Sequence, residues 1–252
     1  MKTLDSVNSQ SYTDYEHIII DANSTDGSKE LILEYEKKNP HLTYWISEPD
    51  KGIYDGMNKG ITRAKGEYIY FLNSGDYLVN NNVLSSIPFD GVQFICGNMS
   101  IEYPDTTHED IISPDTVDVI FLLKKFLPHP ASFIHSSLFK DNKYRTDYLI
   151  ISDWIHMVES LIFKECSYKH IDVFVSIFDS TGLSSQNGNI GQLERDRWIK
   201  KKISTPIYNA LIEADMLKSS ELGSIIPITL HRSYKTQKRI KFITLLLTKF
   251  FK

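Results

Sequence analysis

Asp76 stands at the end of an apolar run, and an acid in that place can do chemistry. Tyr68-Ile69-Tyr70-Phe71-Leu72 has the length of a buried strand and stops at Asn73-Ser74-Gly75-Asp76. Ligands of open α/β sheets bind beyond the carboxyl ends of the strands. Asp76 is therefore placed either to ligate a hard divalent cation or simply to form a turn after Gly75. A cation bridging two phosphates takes oxygen ligands and keeps waters, so one or two protein carboxylates suffice. Asp21 ends the run His17-Ile18-Ile19-Ile20 in the same way. It could accept hydrogen bonds from a nucleobase or ribose, or cap the following turn. Between the two runs lie Asp50, Lys51, Asp55 and Asn58. Lys51 could reach a phosphate, and Asp55 and Asn58 share one helix face, which could equally be an ordinary solvated face. Together these groups line one edge of one sheet.

The elements that must position them follow from periodicity and turn residues. The pattern predicts the tail of a helix over 2–10, a strand over 17–21, a helix over 29–38 stopped by Pro40, and a strand over 42–46. A loop over 47–52, a helix over 53–64 and a strand over 67–72 complete the first part. Strands alternating with helices predict a parallel sheet. Beyond Asp76 the alternation weakens. Strands over 92–96 and 99–103, antiparallel around Gly97-Asn98, are expected, then a strand over 131–135 and a helix over 151–163. A strand over 171–178, a polar loop over 180–189 and helix over 195–217, interrupted at Pro206, follow. The expected fold class is α/β, with a mostly parallel central sheet flanked by helices and a C-terminal helical extension.

Composition excludes several classes. The chain has 252 residues, 24 % charged and 41 % hydrophobic, which is ordinary for a globular protein. A net charge of -4 argues against nucleic acid as a partner of the whole chain. Cys96 and Cys166 are far apart and lack C-x-x-C spacing, so buried free thiols in a reducing compartment are expected. No apolar core marks the start as a signal peptide, and no run of about 18 apolar residues predicts a membrane span. No Gly-x-Gly-x-x-Gly follows a strand, against a dinucleotide-dependent oxidoreductase. Residues 231–252 carry seven Lys/Arg and no acid, interleaved with Ile, Leu and Phe. They read as a basic amphipathic helix, suited to an anionic membrane surface or to packing on the domain.

Three blocks carry a resemblance: Ser47-Glu48-Pro49-Asp50-Lys51-Gly52-Ile53-Tyr54-Asp55-Gly56-Met57-Asn58-Lys59-Gly60, Asp21-Ala22-Asn23-Ser24-Thr25-Asp26-Gly27-Ser28 and Phe71-Leu72-Asn73-Ser74-Gly75-Asp76. Weaker matches follow at 127–133, 151–154 and 181–185. The sequence resembles family 2 glycosyltransferases of the GT-A fold, in the branch that assembles capsule, O-antigen and colanic acid. The resemblance implies a transferase domain over 1–190, with a donor half over about 1–78, an acceptor half over about 79–190 and a C-terminal helical region over 191–252. It implies an inverting transfer from a nucleotide-sugar donor, UDP-sugar first, to a glycan or lipid-linked acceptor at the inner face of the cytoplasmic membrane. Asp21, with Ser24 and Asp26, would serve the donor's nucleotide. Asp50, Lys51, Gly52, Asp55, Asn58, Asn73 and Ser74 would complete the donor side. Asp76 would bind the metal, Mn²⁺ or Mg²⁺. Asp153 would be the general base, with Asp147 as the alternate, and His129 and Trp154 would lie on the acceptor side. Two departures stand out. Asn73 and Gly75 occupy the D-x-D positions, leaving one carboxylate. Family members also carry a central strand and loop ahead of the helix holding Thr3–Val7, whereas this sequence starts at Met1 inside that helix. Two neighbouring strands are then expected to have unpaired backbone unless they close up, with reduced stability. A degenerate, non-catalytic homologue that binds a partner is the alternative.

Overall fold

The computed structural model describes residues 2–182, 185 and 187–219. The basic segment at 231–252 lies outside the described residues. The first sheet is built from two strands. β1 (His17–Asp21) pairs in parallel with β2 (Leu42–Ser47), setting Ile18 opposite Tyr44 and Asp21 opposite Ser47. The β-branched run makes the strand, and α2 (Ser28–Glu36), burying Ile32 and Tyr35, supplies the crossover that parallel pairing requires. α3 (Ile53–Arg63) then lies against β1. Gly56 and Gly60 of this helix pass close to Ile20, and a Cβ on Gly56 would crowd Asp50 Oδ2 at 3.2 Å.

The second sheet has six strands in the order β3-β7-β5-β8-β4, with β6 on the side of β5. They are β3 (Tyr68–Tyr70), β4 (Tyr77–Leu78), β5 (Phe94–Glu102), β6 (His108–Ile111), β7 (Ser132–His135) and β8 (Tyr168–Asp179). The mostly parallel central sheet expected above does not form. Among the described strands, β1–β2 and β5–β8 are the parallel pairs, and β3–β7, β4–β8, β5–β6 and β5–β7 are antiparallel. Strand–helix alternation ends at β3, and without it short returns take over. The expected hairpin around Gly97-Asn98 is also corrected, because β5 runs straight through both residues. Gly97 is needed there for closeness to β8: a Cβ would lie 2.5 Å from Val175 Cγ2 and 2.7 Å from the Val173 carbonyl. The true hairpin joins β5 to β6 through Thr106, at φ 64°.

The core lies on this second sheet, around Leu78, Val83, Ile95, Met99, Phe133 and Val175. α1 (Lys2–Asn8) is stitched to the residues around β4, with Gly75 N–H donating to Thr3 Oγ1 (3.2 Å) and Leu78 N–H to Ser6 Oγ (3.1 Å). Among the described residues β1 pairs only with β2, and β3 only with β7. The two strands have not closed onto one another. Glu16 Oε1, just before β1, instead accepts the N–H of Gly66 (2.8 Å), just before β3.

α4 (Val119–Lys124) is capped by Asp118, whose Oδ1 accepts Phe121 N–H (2.7 Å). α5 (Ser152–Val158) widens into a π turn over Glu159–Phe163 where one α-helix was expected. The chain divides into two units, Met1–Trp198 and Ile199–Lys252. α6 (Gly188–Lys202) crosses that boundary, and α7 (Thr205–Ser219) belongs to the second unit. Pro206 stands in the first turn of α7, where its missing N–H costs nothing. Among the described residues no helix is long and apolar enough to cross a membrane.

Candidate active site

The acids expected on the nucleotide side are arranged by their own turns. Asp21 ends β1 and is buried. Its Oδ2 accepts the Ser24 N–H at 3.0 Å, and the hydroxyls of Ser24 and Ser47 donate to the same carboxylate. Burial pushes the Asp21 carboxyl up, but these donors and the nearby Lys29 charge outweigh it and hold it below the usual range. Asp26 is exposed and accepts from Ser28 N–H (3.1 Å), securing the entry to α2. The 50–52 turn closes on itself: Gly52 N–H donates to Asp50 Oδ1 (2.9 Å) and Lys51 N–H to Asp55 Oδ2 (3.0 Å). Gly52 sits at φ 118°, which favours glycine, and the Lys51 side chain stays exposed. Asn58 faces away from this turn. Its Nδ2 donates to the Tyr144 carbonyl (2.7 Å) and its Oδ1 accepts the Tyr144 N–H (3.0 Å). The amide expected on the donor side is thus engaged with the acceptor half.

Asp76 is only 3 % exposed. Its Oδ1 accepts the Asp179 N–H (2.9 Å), while Oδ2 is buried with no hydrogen-bond partner. Burial, with the Asp179 charge adding to it, pushes this carboxyl up to about 7 against the pull of the Asp179 N–H. Gly75, at φ 101°, stands where a second carboxylate would be needed, and a Cβ there would lie 2.9 Å from Asp179 Oδ2. Asn73 is half-buried and Ser74 exposed. The half-buried Asp179 brings a second carboxylate to this turn, beside the unpartnered Asp76 Oδ2. Among the described residues no group of three metal-ligating side chains converges. A hydrated Mg²⁺ or Mn²⁺ bridging phosphates needs only one or two carboxylates, so Asp76 and Asp179 are the residues that would hold one.

The residues expected on the acceptor side are brought closer together. Asp153 is the second residue of α5, and a quarter of its side chain (25 %) reaches solvent. Its Oδ1 accepts from the Tyr54 hydroxyl and from the Trp154 N–H, both at 2.8 Å. Its Oδ2 lies 4.0 Å from His129 Nδ1. His129 is buried, stacked on Phe71 with ring centroids 5.1 Å apart, and its Nε2 is 2.8 Å from the Tyr144 hydroxyl. Burial pulls the imidazole down from its ordinary value, against the Asp153 charge, so it is neutral near pH 7. Trp154 anchors α5 by donating Nε1–H to the Leu122 carbonyl (2.8 Å), and Arg195 of α6 lies over its ring at 4.6 Å. Glu194 accepts the Leu149 and Ile150 N–H groups (2.7 and 3.0 Å), fixing the backbone ahead of α5. Asp147 is exposed, and its carbonyl accepts from Arg197 (3.5 Å).

The structure thus brings Asp153, His129 and Trp154 together, and sequence reasoning missed Tyr54, Tyr144, Glu194 and Arg195. Tyr54 carried a signal, lying four residues before Asn58 on one helix face.

The model of the family described as glycosyl transferase family 2 matches residues 1–110. An uncharacterized glycosyltransferase of Mycobacterium tuberculosis is 32 % identical over 195 residues, covering 73 % of this chain and 71 % of its own. The chain belongs to glycosyl transferase family 2. A second relative of this family 2 transferase, a PGL/p-HBAD biosynthesis glycosyltransferase of the same organism, is 25 % identical over 188 residues, 71 % of each chain. Among solved structures, Staphylococcus aureus TarS in complex with UDP-GlcNAc superposes with a TM-score of 0.60 at 13 % identity, over 93 % of this chain and 72 % of that one. At that identity the likeness concerns fold, and it bears out the GT-A type of this family 2 enzyme.

Proposed function

We propose that the transferase moves a sugar from a nucleotide-diphosphate donor to a hydroxyl of a surface-glycan or lipid-linked acceptor, with inversion. The observation that carries this is Asp153, a carboxylate with one oxygen held by two donors and the other 4.0 Å from His129 Nδ1, a quarter of its side chain reaching solvent. The nucleotide-sugar donor is supported by TarS, solved with UDP and with UDP-GlcNAc. The surface-glycan acceptor is supported by the relative in PGL/p-HBAD biosynthesis. An acceptor at an anionic membrane surface is supported by the basic composition of 231–252.

In the proposed step the acceptor oxygen bonds to the anomeric carbon from the face opposite the diphosphate. The carbon–oxygen bond to the diphosphate breaks and its electron pair leaves with that group. The acceptor's proton passes to Asp153 Oδ2, a general-base contribution of about 10²–10⁴-fold. Asp21, charged and fixed by Ser24 and Ser47, accepts hydrogen bonds from the nucleoside. Lys51, exposed at the turn before α3, offers its charge to the diphosphate. A divalent cation, if bound, would be held by Asp76 and Asp179 and would neutralise charge on the departing diphosphate.

Asp153→Asn keeps the Tyr54 contact and removes the base. It should lower turnover of a UDP-sugar at least 100-fold while calorimetric UDP affinity holds; unchanged turnover removes Asp153 from the mechanism. The unpaired edges of β1 and β3 favour a second reading, a binding homologue without turnover. Absence of UDP and GDP binding, with and without Mn²⁺, selects it.

A further inference from the structure

We propose that Tyr54 is the positioning residue of the base, holding Asp153 Oδ1 so that Oδ2 alone is offered to the acceptor, and tying it to the nucleotide-side turn. This rests on the reading of Asp153 as the base. Tyr54 is the second residue of α3 and is 5 % exposed. Its hydroxyl reaches across the structure to a residue 99 positions later. Two acceptors meet it there, Asp153 Oδ1 at 2.8 Å and the Ile150 carbonyl at 2.6 Å. One O–H cannot serve both fully. A charged carboxylate is the stronger acceptor, so the hydroxyl points to Asp153 while that residue is ionised. Once Asp153 Oδ2 holds the acceptor's proton, the carboxyl is neutral and the hydroxyl turns to the Ile150 carbonyl. Tyr54 keeps its own proton throughout, because burial and then the Asp153 charge hold the phenol far above its ordinary range.

The same helix steadies the other side. One turn on, Asn58 clamps the Tyr144 backbone, and the Tyr144 hydroxyl meets His129 Nε2. His129 Nδ1 in turn faces Asp153 Oδ2. The groups around Asp153 are thus Tyr54 from α3, His129 from the short turn at 129–131, Tyr144 from the connection before α5, and Arg195 from α6. Gly52 precedes Tyr54 by two residues, and Lys51 N–H is bonded to Asp55 in the first turn of the same helix. A diphosphate seated at this turn therefore acts on α3 directly, and through Tyr54 on the base.

Tyr54→Phe in the full chain removes the hydroxyl and keeps the ring against Tyr144. We expect kcat to fall about 10- to 100-fold. Donor KM and UDP affinity should hold. Combined with Asp153→Asn, the substitution should add no further loss. A wild-type kcat in Tyr54→Phe, while Asp153→Asn is inactive, overturns the Tyr54 role alone. An active Asp153→Asn overturns the base reading and this proposal with it. A further loss in the double variant, with parallel loss of UDP affinity, marks Tyr54 as structural and overturns the proposal. Should Tyr54→Phe fail to fold, 3-fluorotyrosine at position 54 reads the same bond. It keeps the ring and changes only the hydroxyl's donor strength, so kcat should change while UDP affinity holds, and an unchanged kcat overturns the role.

Discussion

Asp153 and Asp76 both follow an element boundary, yet one shows a quarter of its side chain to solvent and the other 3 %. The second is a proton trap inside the fold. Its carboxyl is raised to about 7 from an ordinary value of 3.8, so between these limits the folded chain binds a proton that the unfolded chain releases. The stabilising contribution is full below about pH 3.8 and is lost as pH rises through 7. Asp76→Asn keeps an acceptor for the Asp179 N–H and cannot ionise. It should flatten the stability–pH curve between pH 4 and 7, by at most about 1.4 kcal/mol per unit. Urea titrations at several pH values check this, and parallel curves for the two proteins refute it. The strand-end position of Asp76 was legible in the sequence. Its burial was not, because it depends on Asp179, 103 residues on. Asp153 was found through a resemblance, and Tyr54 only shared a helix face with Asn58; its reach to Asp153, 99 residues on, was out of sight.

At the scale of elements, local signals served where local physics decides. β1, α2, β2 and α3 fall within two residues of the spans expected from periodicity and turn residues. Gly97 shows where such signals mislead. Gly-Asn reads as a turn, but here the missing side chain answers to a neighbouring strand that arrives some 75 residues later. Gly97→Ala should force β5 from β8 and lower stability by about 1–3 kcal/mol. Equilibrium unfolding measures it, and an unchanged midpoint would show that the strands can part without cost. The parallel or antiparallel sense of the later strands was equally out of reach, since it is set by which strands meet.

At the scale of the whole molecule, the transferase site depends on contacts between distant stretches: α3 with the start of α5, and α6 with the backbone ahead of it. The strands form two separate sheets, with β1 and β3 each paired on one side among the described residues. That seam bears on how the protein behaves in a tube. Ile18-Ile19-Ile20 is an uncharged, half-buried row on a strand with one strand partner among the described residues, an edge of the kind that pairs with another copy. Sedimentation should show an apparent mass that climbs with protein concentration; a constant mass would rule this out. Turnover per molecule would then fall as more enzyme is added, a crowding artefact of the seam that rate comparisons between variants must hold fixed.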